Sequence, residues 1–557
     1  MTILIVNPSM RNILKICFLQ ISSLLILTPL YHAAAFNVIK SVPGYPDNLP
    51  FYLETGYVGV GDNEGVQLFY YFIKSERNPQ TDPLILWLTG GPGCSALSGL
   101  VLEIGPLIFN TSAFNWHSKA PTFQLNPFSW TKVASIIFLD SPVGTGFSYA
   151  TDPEHYYTDD ITSSEHIYQF LRKWLMDHVG FQNNPLYICG DSYSGMIVPI
   201  VVKEISKGNK VHVQPIMNLQ GYVLGNPTTR EEDMKKSKFD FARRVSLLSD
   251  EIYKSTRISC NGTFEDVDAE NIRCSRNLKA ISYNLDPVFA AHVLKPKCIS
   301  DRTWCQDSIY RLFYYWANDI QVRTALDIQK GTKSHWTRCN RTLAYAHNLT
   351  SVVDYHQNLT MESIHALIYR ISKTRGFRCP INELRSILVG AYRQSPMTNQ
   401  ARGSRCPVSE LRYRLVGACR QRPTINQARG FRCPVSELRF RLVGACRQRP
   451  KISQALGSRY LVNELRSRLV GAYSGDQDMV VSYLGTLEWI KMLNITIAED
   501  WRPWFANGQV AGYITKYSND NYHLTYATVK GAGHTAPEYK RAECFTMLTK
   551  WFAMHPR

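Results

Sequence analysis

Three side chains that together could make a reactive serine lie far apart in this 557-residue chain. Ser192 occurs in "CGDSYSG", Asp478 in "SGDQDMVV" and His534 in "VKGAGHTAPE". A serine hydroxyl hardly ionises near neutral pH, so it needs an imidazole as general base, and a carboxylate fixes the tautomer of that imidazole and stabilises its charged form. Each residue by itself is also typical of a solvated turn. The prediction of a catalytic triad therefore depends on the three occurring together.

The sequence around Ser192 favours a sharp turn between a strand and a helix. "LYIC" before it is apolar and "MIVPIVVKEI" after it has helical spacing, while Gly190 and Ser194 are the small flanking residues that such a turn needs. A serine in a glycine-rich turn is often only structural. The order Ser192, Asp478, His534, however, is the chain order of α/β-hydrolases. We therefore predict that Ser192 is the nucleophile.

The glycine-rich segment "WLTGGPGCS" predicts the oxyanion site that a serine nucleophile requires. Two backbone N–H groups must point at the developing negative charge, and glycines allow the backbone to come close to it. We predict that Gly91 and Tyr193, the residue after the nucleophile, are these donors. A plain Gly-Pro turn is the alternative, but it does not explain why this segment accompanies the Ser192 turn.

Six short apolar runs that end in turn residues predict the elements that position these side chains. They are "VQLFYYFIKS", "PLILWLTG", "SIIFLDSP", "PLYICGD", "IMNLQGYVLGN" and "ATVKGAG", and they are typical of central strands in a largely parallel sheet. Helical spacing in "SSEHIYQFLRKWLMDHV" falls between the third run and the fourth. We predict the α/β class, with an α/β-hydrolase fold and a mostly parallel central sheet. The charged, cysteine-containing segment from about 228 to 338 lacks clear strands and predicts an inserted helical lid.

The first 35 residues are typical of a secretory signal peptide. Arg11 and Lys15 precede an apolar run, and three alanines offer a cleavage site before Phe36. A membrane anchor is the alternative, but the run is short for a bilayer span and contains Gln20. Secretion also agrees with six sequons for N-glycosylation. Their asparagines are Asn110, Asn261, Asn340, Asn348, Asn358 and Asn494.

The net charge of +17 is concentrated in an internal repeat. A 27-residue unit recurs, with "RCP" starting at 378, 405 and 432. The insert, residues 370–473, carries 22 basic and 4 acidic side chains, a net of +18, which leaves 40 basic and 41 acidic ones elsewhere. The rest of the chain is therefore close to neutral, and its charge does not predict a nucleic-acid partner.

Three interpretations of the repeat compete. A basic binding module would need arginines interleaved with stacking aromatics, which the units contain only sparsely. A zinc array would need histidines and close cysteine pairs, which the units lack. The third is a duplicated or spuriously translated segment without a selected fold. The repeat also divides a predicted strand, since "HALIY" ends at Tyr369 and "SGDQD" begins at Ser474. Either "LVGAY" of the last unit replaces "ALIY" in the sheet and the other units loop out, or the chain does not fold as written.

Taken together, the motifs resemble the serine carboxypeptidase-like family of plants. "LILWLTGGPGCSALSGL", "FLDSPVGTGFSYA", "PLYICGDSYSG", "WANDIQVRTAL", "SGDQDMVV", "DWRPWFANGQVAGY" and "GAGHTAPEYK" carry the resemblance, which covers residues 36–557 apart from the insert. It implies an α/β-hydrolase fold with a lid, the triad above and an extracellular or vacuolar location. It also implies three disulfides and two unpaired cysteines, Cys189 and Cys544. The implied pairs are Cys94–Cys339, Cys260–Cys274 and Cys298–Cys305.

Two positions bear on the reaction that the resemblance implies. Peptidase members have Asn at the position of Thr89 and Glu at that of Asp191, a pair that holds the terminal carboxylate of a peptide. Thr89 lacks the amide and Asp191 is one methylene shorter, which matches members that resemble acyltransferases. A site without a bidentate clamp binds a peptide end less well. We predict transfer of a hydroxycinnamoyl- or benzoyl-type group from a 1-O-β-glucose ester to an acceptor, with Thr89, Gly90 and Asp191 binding substrate.

Two other functions stay open. A serine carboxypeptidase that acts on peptide C-termini would use the same triad, whereas a non-catalytic or misfolded protein would result if the insert disrupts the strand before Asp478. Ser482, where the family commonly has Pro, bears on substrate fit more than on the triad. None of these functions requires a metal, a cofactor or a stable membrane anchor.

Overall fold

The computed structural model describes residues 36–113, 121–262, 264, 270–298, 305–360, 468–519 and 522–554. The predicted signal peptide, and the insert as far as residue 467, lie outside these ranges. All described residues belong to the larger of two compact units. Within them, no helix is long and apolar enough to cross a bilayer.

A sheet of twelve strands forms the centre of the described fold. The strands of the protein are β1 Phe36–Ile39, β2 Leu53–Val60, β3 Val66–Ile73, β4 Leu84–Leu88, β5 Leu107–Phe109, β6 Phe123–Leu125, β7 Ser135–Leu139, β8 Tyr149–Ala150, β9 Thr158–Asp159, β10 Leu186–Asp191, β11 Leu219–Gly225, β12 Tyr345–Ala346, β13 Arg468–Gly475, β14 Thr496–Ala506, β15 Gln509–Asn519 and β16 Tyr522–Val529. The large sheet has the order β1-β2-β3-β7-β4-β10-β11-β13-β16-β15-β14, with β8 beside β3, while β5–β6 and β9–β12 form two small sheets.

The six predicted runs are all strands, namely β3, β4, β7, β10, β11 and β16, and the predicted α/β fold is confirmed. The six strands from β7 to β16 in the sheet order are mutually parallel. The sheet is antiparallel on both flanks, where β3 pairs with β7 and β15 pairs with β16. The run that became β3 is therefore antiparallel, and the hairpin of β14 and β15 was not predicted.

Helices cover both faces of the sheet because its central strands are apolar on both. The described helices are α1 Asp160–Asp177, α2 Ser194–Lys210, α3 Glu231–Arg244, α4 Asp250–Ser259, α5 Ile272–Leu285, α6 Gln306–Ala317, α7 Ile320–Ala325, α8 Tyr483–Met492, α9 Ala536–Tyr539 and α10 Arg541–Met554. In β4, Ile85 and Trp87 join a core cluster that includes α10, whereas Leu84, Leu86 and Leu88 join one that includes α1, α2 and α8. This alternation is what a sheet packed between two helical layers requires.

The segment predicted as a lid contains the helices α3 to α7. Apolar side chains of α6 and α7 join a core cluster of the sheet, whereas those of α3 to α5, among them Phe241, Tyr253 and Ile281, form a small core of their own. Met479, which lies outside the segment, is also buried in that core. The segment therefore packs directly against the residue that follows Asp478.

The residues of strand β13 show which part of the repeat enters the sheet. It is formed by Arg468–Gly475, so the "LVGAY" of the last unit lies between β11 and β16, parallel to both. Of the two arrangements expected, the first is thus observed for this strand. The position of the other units lies outside the described residues.

The three disulfides implied by the family resemblance are present. The bond from Cys94 to Cys339 spans 245 residues and ties the glycine-rich segment to the end of the lid segment. Cys189 and Cys544 are free and buried. All eight cysteines that follow residue 35 and lie outside the insert therefore have the states that the resemblance implied.

The predicted glycosylation sites differ in accessibility. Asn261, Asn348 and Asn494 are exposed, whereas Asn110, Asn340 and Asn358 are half-buried. The Nδ2 atom of Asn340 donates to the Gly144 carbonyl at 3.1 Å. Because an exposed side chain is more accessible to modification, the three exposed asparagines are the better candidates.

Candidate active site

Ser192 lies in a sharp turn between β10 and α2. Its φ of 54° is in the left-handed region, which a residue other than glycine adopts only under local constraint. The constraint is visible in the backbone, because the Ser192 N–H donates to the Gly225 carbonyl at 2.9 Å and the Ser192 carbonyl accepts from Thr228 at 3.0 Å. A Cβ atom on Gly190 would lie 2.3 Å from Ser194 Oγ. The turn thus requires the small residue that the sequence supplies.

The structure brings the three predicted triad residues together. His534 Nε2 lies 2.8 Å from Ser192 Oγ, and His534 Nδ1 lies 2.8 Å from Asp478 Oδ2. Asp478 is fully buried, and the His534 side chain is 15% exposed. Both distances are within hydrogen-bonding range, so the imidazole can take the hydroxyl proton while the carboxylate fixes its tautomer.

Asp478 is held by donors on both carboxylate oxygens. Its Oδ1 accepts from the backbone N–H of Val480 at 2.7 Å and of Val481 at 3.2 Å. Its Oδ2, which faces His534, also accepts from Asn226 Nδ2 at 2.7 Å. These bonds fix the orientation of the carboxylate that faces His534. Burial disfavours the imidazolium, but the charge and hydrogen bond of Asp478, together with the nearby charges of Asp191 and Glu538, outweigh burial, so the pKa of His534 lies above its ordinary value.

Two neighbouring carbonyls of the lid segment hold both loops of the triad. The Met479 N–H donates to the Ala290 carbonyl at 2.9 Å, and the His534 N–H donates to the Ala291 carbonyl at 2.7 Å. The acid and the base therefore share one support, which sets their separation.

The glycine-rich segment after β4 lies against the Ser192 turn. A Cβ atom on Gly90 would lie 2.6 Å from Ser192 Cβ and 2.7 Å from the Tyr193 nitrogen, closer than carbon atoms pack. Gly91 follows with a φ of 128°, a conformation that favours glycine. The two residues predicted as oxyanion donors, Gly91 and Tyr193, therefore lie on two backbone segments in contact beside Ser192.

Comparison with known proteins shows which family the chain belongs to. A sequence model of the serine carboxypeptidase family matches residues 43–374 and 456–554. The chain belongs to the serine carboxypeptidase family. The stretch that separates the two matched ranges lies within the insert.

Plant relatives match this family member along nearly its whole length. Serine carboxypeptidase-like 8 of Arabidopsis thaliana is 36% identical over 541 residues, which are 97% of this chain and 99% of the relative. Serine carboxypeptidase-like 10 of the same plant is 37% identical over 538 residues, with coverages of 96% and 98%. The crystal structure of Kex1(delta)p, a prohormone-processing carboxypeptidase from Saccharomyces cerevisiae, superposes with a TM-score of 0.60 at 15% identity, covering 93% of this chain and 95% of that one. At that identity the superposition supports the fold alone.

Two predicted substrate-binding residues of this serine carboxypeptidase family member, Thr89 and Asp191, form hydrogen bonds with different partners. Thr89 Oγ1 accepts from the Trp87 indole at 3.2 Å, whereas Asp191 Oδ1 accepts from the Gly90 N–H at 3.1 Å. Among the described residues, no hydrogen bond joins Thr89 to Asp191. The two side chains therefore do not form a shared network.

Glu103 is a buried acid that the sequence analysis did not single out. It is 2% exposed, and neither carboxyl oxygen has a hydrogen-bond partner among the described residues. Burial raises the pKa of Glu103 well above its ordinary value, and the nearby charges of Asp191 and Glu538 raise it further. Burial also raises the pKa of Asp191. The only signal in the sequence was an acid within the apolar run "SGLVLEIG".

Asn226 was also missed. Its amide donates to Asp478, and its Oδ1 accepts from the Gly475 N–H at 3.1 Å, so it bridges the end of β11 to the end of β13. A polar residue directly after the strand "GYVLG" was the available signal. Within the described ranges, no group of three or more His, Cys, Asp or Glu side chains could hold a metal ion.

Proposed function

We propose that this protein is a serine carboxypeptidase-like acyltransferase that moves an aromatic acyl group from a 1-O-β-glucose ester to an acceptor. Ser192 Oγ attacks the ester carbonyl as His534 takes its proton, and the N–H groups of Gly91 and Tyr193 stabilise the oxyanion. Glucose then leaves with the proton from His534. An acceptor hydroxyl or amine attacks the acyl-serine, giving its proton to His534, and restores Ser192.

The transferase proposal rests on the observation that Thr89 and Asp191 form hydrogen bonds with different partners and not with each other. In peptidases of this family the corresponding Asn and Glu together bind a terminal carboxylate. Here the Thr89 hydroxyl is bonded to Trp87, and Asp191 is bonded to the Gly90 backbone. A site without a joint clamp loses affinity for a peptide end while the triad stays intact.

A small pocket beside the Ser192 turn supports the assignment of Thr89 and Gly90 to substrate binding. Thr89 and Gly90 line it together with Tyr193, the predicted oxyanion donor, and with apolar side chains such as Leu88 and Ile197. A lining that is mostly apolar with a few polar groups is typical of small-molecule sites.

A serine carboxypeptidase is the second candidate, and Glu103 favours it. Burial raises the pKa of Glu103 well above its ordinary value, which favours the protonated acid, and neither of its carboxyl oxygens has a hydrogen-bond partner among the described residues. Asp191, whose pKa is also raised, lies close enough to interact with it electrostatically. A protonated acid can donate a hydrogen bond to the carboxylate of a peptide end.

Substrate choice tests the two candidates. We expect the purified protein, given a hydroxycinnamoyl glucose and a panel of hydroxyl and amine acceptors, to release glucose and form an acylated acceptor, and the Ser192→Ala variant to form neither. Chromatography of the products measures both. Removal of C-terminal residues from blocked dipeptides, with no acyl transfer, would reject the transferase and favour the peptidase.

The double variant Thr89→Asn, Asp191→Glu tests the clamp argument. It restores the peptidase pair, and since a hydrogen bond to a charged group contributes about 1.5–3 kcal/mol, we expect dipeptide hydrolysis to increase by about tenfold or more. Glucose-ester cleavage should change less. Equal dipeptide hydrolysis by the variant and the wild type would contradict the assignment of Thr89 and Asp191.

We also assign the protein to the secretory pathway, with an extracellular or vacuolar destination. The leader and the three disulfides support this, because disulfides persist in oxidising compartments. Fractionation of plant cells that express the tagged full chain tests it, and recovery in the cytosol would contradict it.

A further inference from the structure

The side chain of Tyr193 is bonded at its far end to two residues from distant parts of the chain. Its hydroxyl donates to Asp160 Oδ1 at 2.7 Å and lies 2.8 Å from His347 Nδ1. Tyr193 is 9% exposed and Asp160 is fully buried. The two hydrogen bonds therefore hold the far end of the Tyr193 side chain in addition to its packing.

Hydrogen-bond counting defines the direction of each bond. Tyr193 has one hydroxyl proton, and the Asp160 carboxylate accepts it. His347 Nδ1 must therefore carry a proton and donate it to the Tyr193 oxygen. Asp160 also accepts from the Tyr345 hydroxyl at 2.7 Å and from the Leu349 N–H at 3.1 Å. Asp160 therefore has three donors, and the Leu349 N–H and the Tyr193 hydroxyl still hold it when the Tyr345 hydroxyl is removed.

The support reaches Tyr193 from secondary structure that does not contain Ser192. Asp160 is the first residue of α1. The strand before it, β9, pairs with β12, which leads into His347. The Tyr193 ring thus connects the Ser192 turn to the β9–β12 ladder.

We infer that Asp160 and His347 are positioning residues, which hold the Tyr193 ring and through it keep the Tyr193 N–H aimed at the oxyanion site. The inference rests on the proposed role of Ser192 as nucleophile and of Tyr193 as oxyanion donor. An oxyanion donor acts only if it lies about 2.7–3.1 Å from the charged oxygen. Ser192 has a left-handed φ, a strained conformation that a rotation of the turn backbone would relieve. The anchored Tyr193 ring opposes that rotation.

The test compares two hydroxyl deletions that remove the same kind of bond. Tyr193→Phe and Tyr345→Phe each remove a 2.7 Å hydrogen bond to Asp160 Oδ1, but only the first residue lies in the Ser192 turn. The probe is an alkyl fluorophosphonate. Ser192 Oγ forms a bond to phosphorus as the P–F bond breaks, His534 takes the hydroxyl proton, and the phosphoryl oxygen occupies the oxyanion site.

We expect Tyr193→Phe to lower the maximal rate of phosphonylation about tenfold, a part of the 10²–10³-fold that follows complete loss of a donor, with half-saturating probe concentration within twofold of wild type. Tyr345→Phe should leave that rate within twofold. Both should lower the thermal unfolding midpoint, and Tyr193→Phe should lower it more because it also loses the hydrogen bond with His347. His347→Ala, which changes an exposed side chain, should lower the rate in the same direction.

Equal rates for Tyr193→Phe and Tyr345→Phe would overturn the inference, since the bonds would then only stabilise the fold. An unchanged rate for His347→Ala would show that His347 is not a positioning residue for Tyr193. Labelling of Ser192→Ala at the wild-type rate would instead overturn the proposed function. Different results would therefore contradict the positioning role of Asp160 and His347 and the proposed function.

Discussion

At the scale of single residues, Asp478 controls the protonation of His534. Burial lowers the pKa of His534, but the charge and hydrogen bond of Asp478, together with the nearby charges of Asp191 and Glu538, raise it above its ordinary value. A general base works only when it is neutral, so the phosphonylation rate should fall as pH decreases through that raised pKa. In Asp478→Asn the charge is lost, and we expect the apparent pKa of the rate profile to decrease and the plateau rate to fall by about 10⁴-fold.

Asp476→Asn is the matched control for that profile. Asp476 lies on the same loop, and its Oδ1 accepts from the Gly531 N–H at 2.7 Å, a bond that an asparagine can keep. The profile of this variant should retain the wild-type apparent pKa. If Asp478→Asn also retained it, Asp478 would not be the group that sets the charge state of His534.

At the scale of elements, the pairing of β11 with β13 delivers Asp478. Gly221 is opposite Leu469, and a Cβ atom on Gly221 would lie 1.8 Å from the Leu469 carbonyl oxygen. Gly221→Ala must push the strands apart, which costs roughly 1–3 kcal/mol as overpacking does. We expect a lower thermal midpoint and slower phosphonylation. Gly471→Ala, whose Cβ meets nothing closer than 3.4 Å, should change both much less, and equal effects would contradict this view of the strand.

The same elements show what the sequence could predict. The six strands were predictable because each is a continuous apolar run buried on both faces. Strand β14 was not, because its residues are largely exposed and include charges, so "TIAEDWRPWFA" has neither alternation nor an apolar run. Ser192, Asp478 and His534 were predictable from local turn patterns. The partners Asn226, Asp160 and His347 depend on tertiary contacts, which no local pattern encodes.

At the scale of the whole molecule, the basic charge and the catalytic geometry belong to different parts of the chain. The insert carries the net of +18, and the remainder carries −1. The insert contributes residues 468–473 of β13 to the described fold, and within that strand Leu469, Val470, Ala472 and Tyr473 are buried. What the sheet needs from this region is therefore a short apolar strand that leads into "SGDQD".

Two deletion variants test separately whether the fold requires that strand and whether it requires the repeats. Removing residues 378–458 takes out three units and keeps "LVGAY", whereas removing residues 370–473 joins "ALIY" to "SGDQD". Because both retain an apolar strand ending in tyrosine, we expect phosphonylation within about threefold of wild type, together with an isoelectric point well below the 9.2 of the full chain. Kinetics and isoelectric focusing measure the two. Activity of the first variant alone would show that "LVGAY" itself is required for β13, and inactivity of both folded variants would make the repeats part of the functional protein.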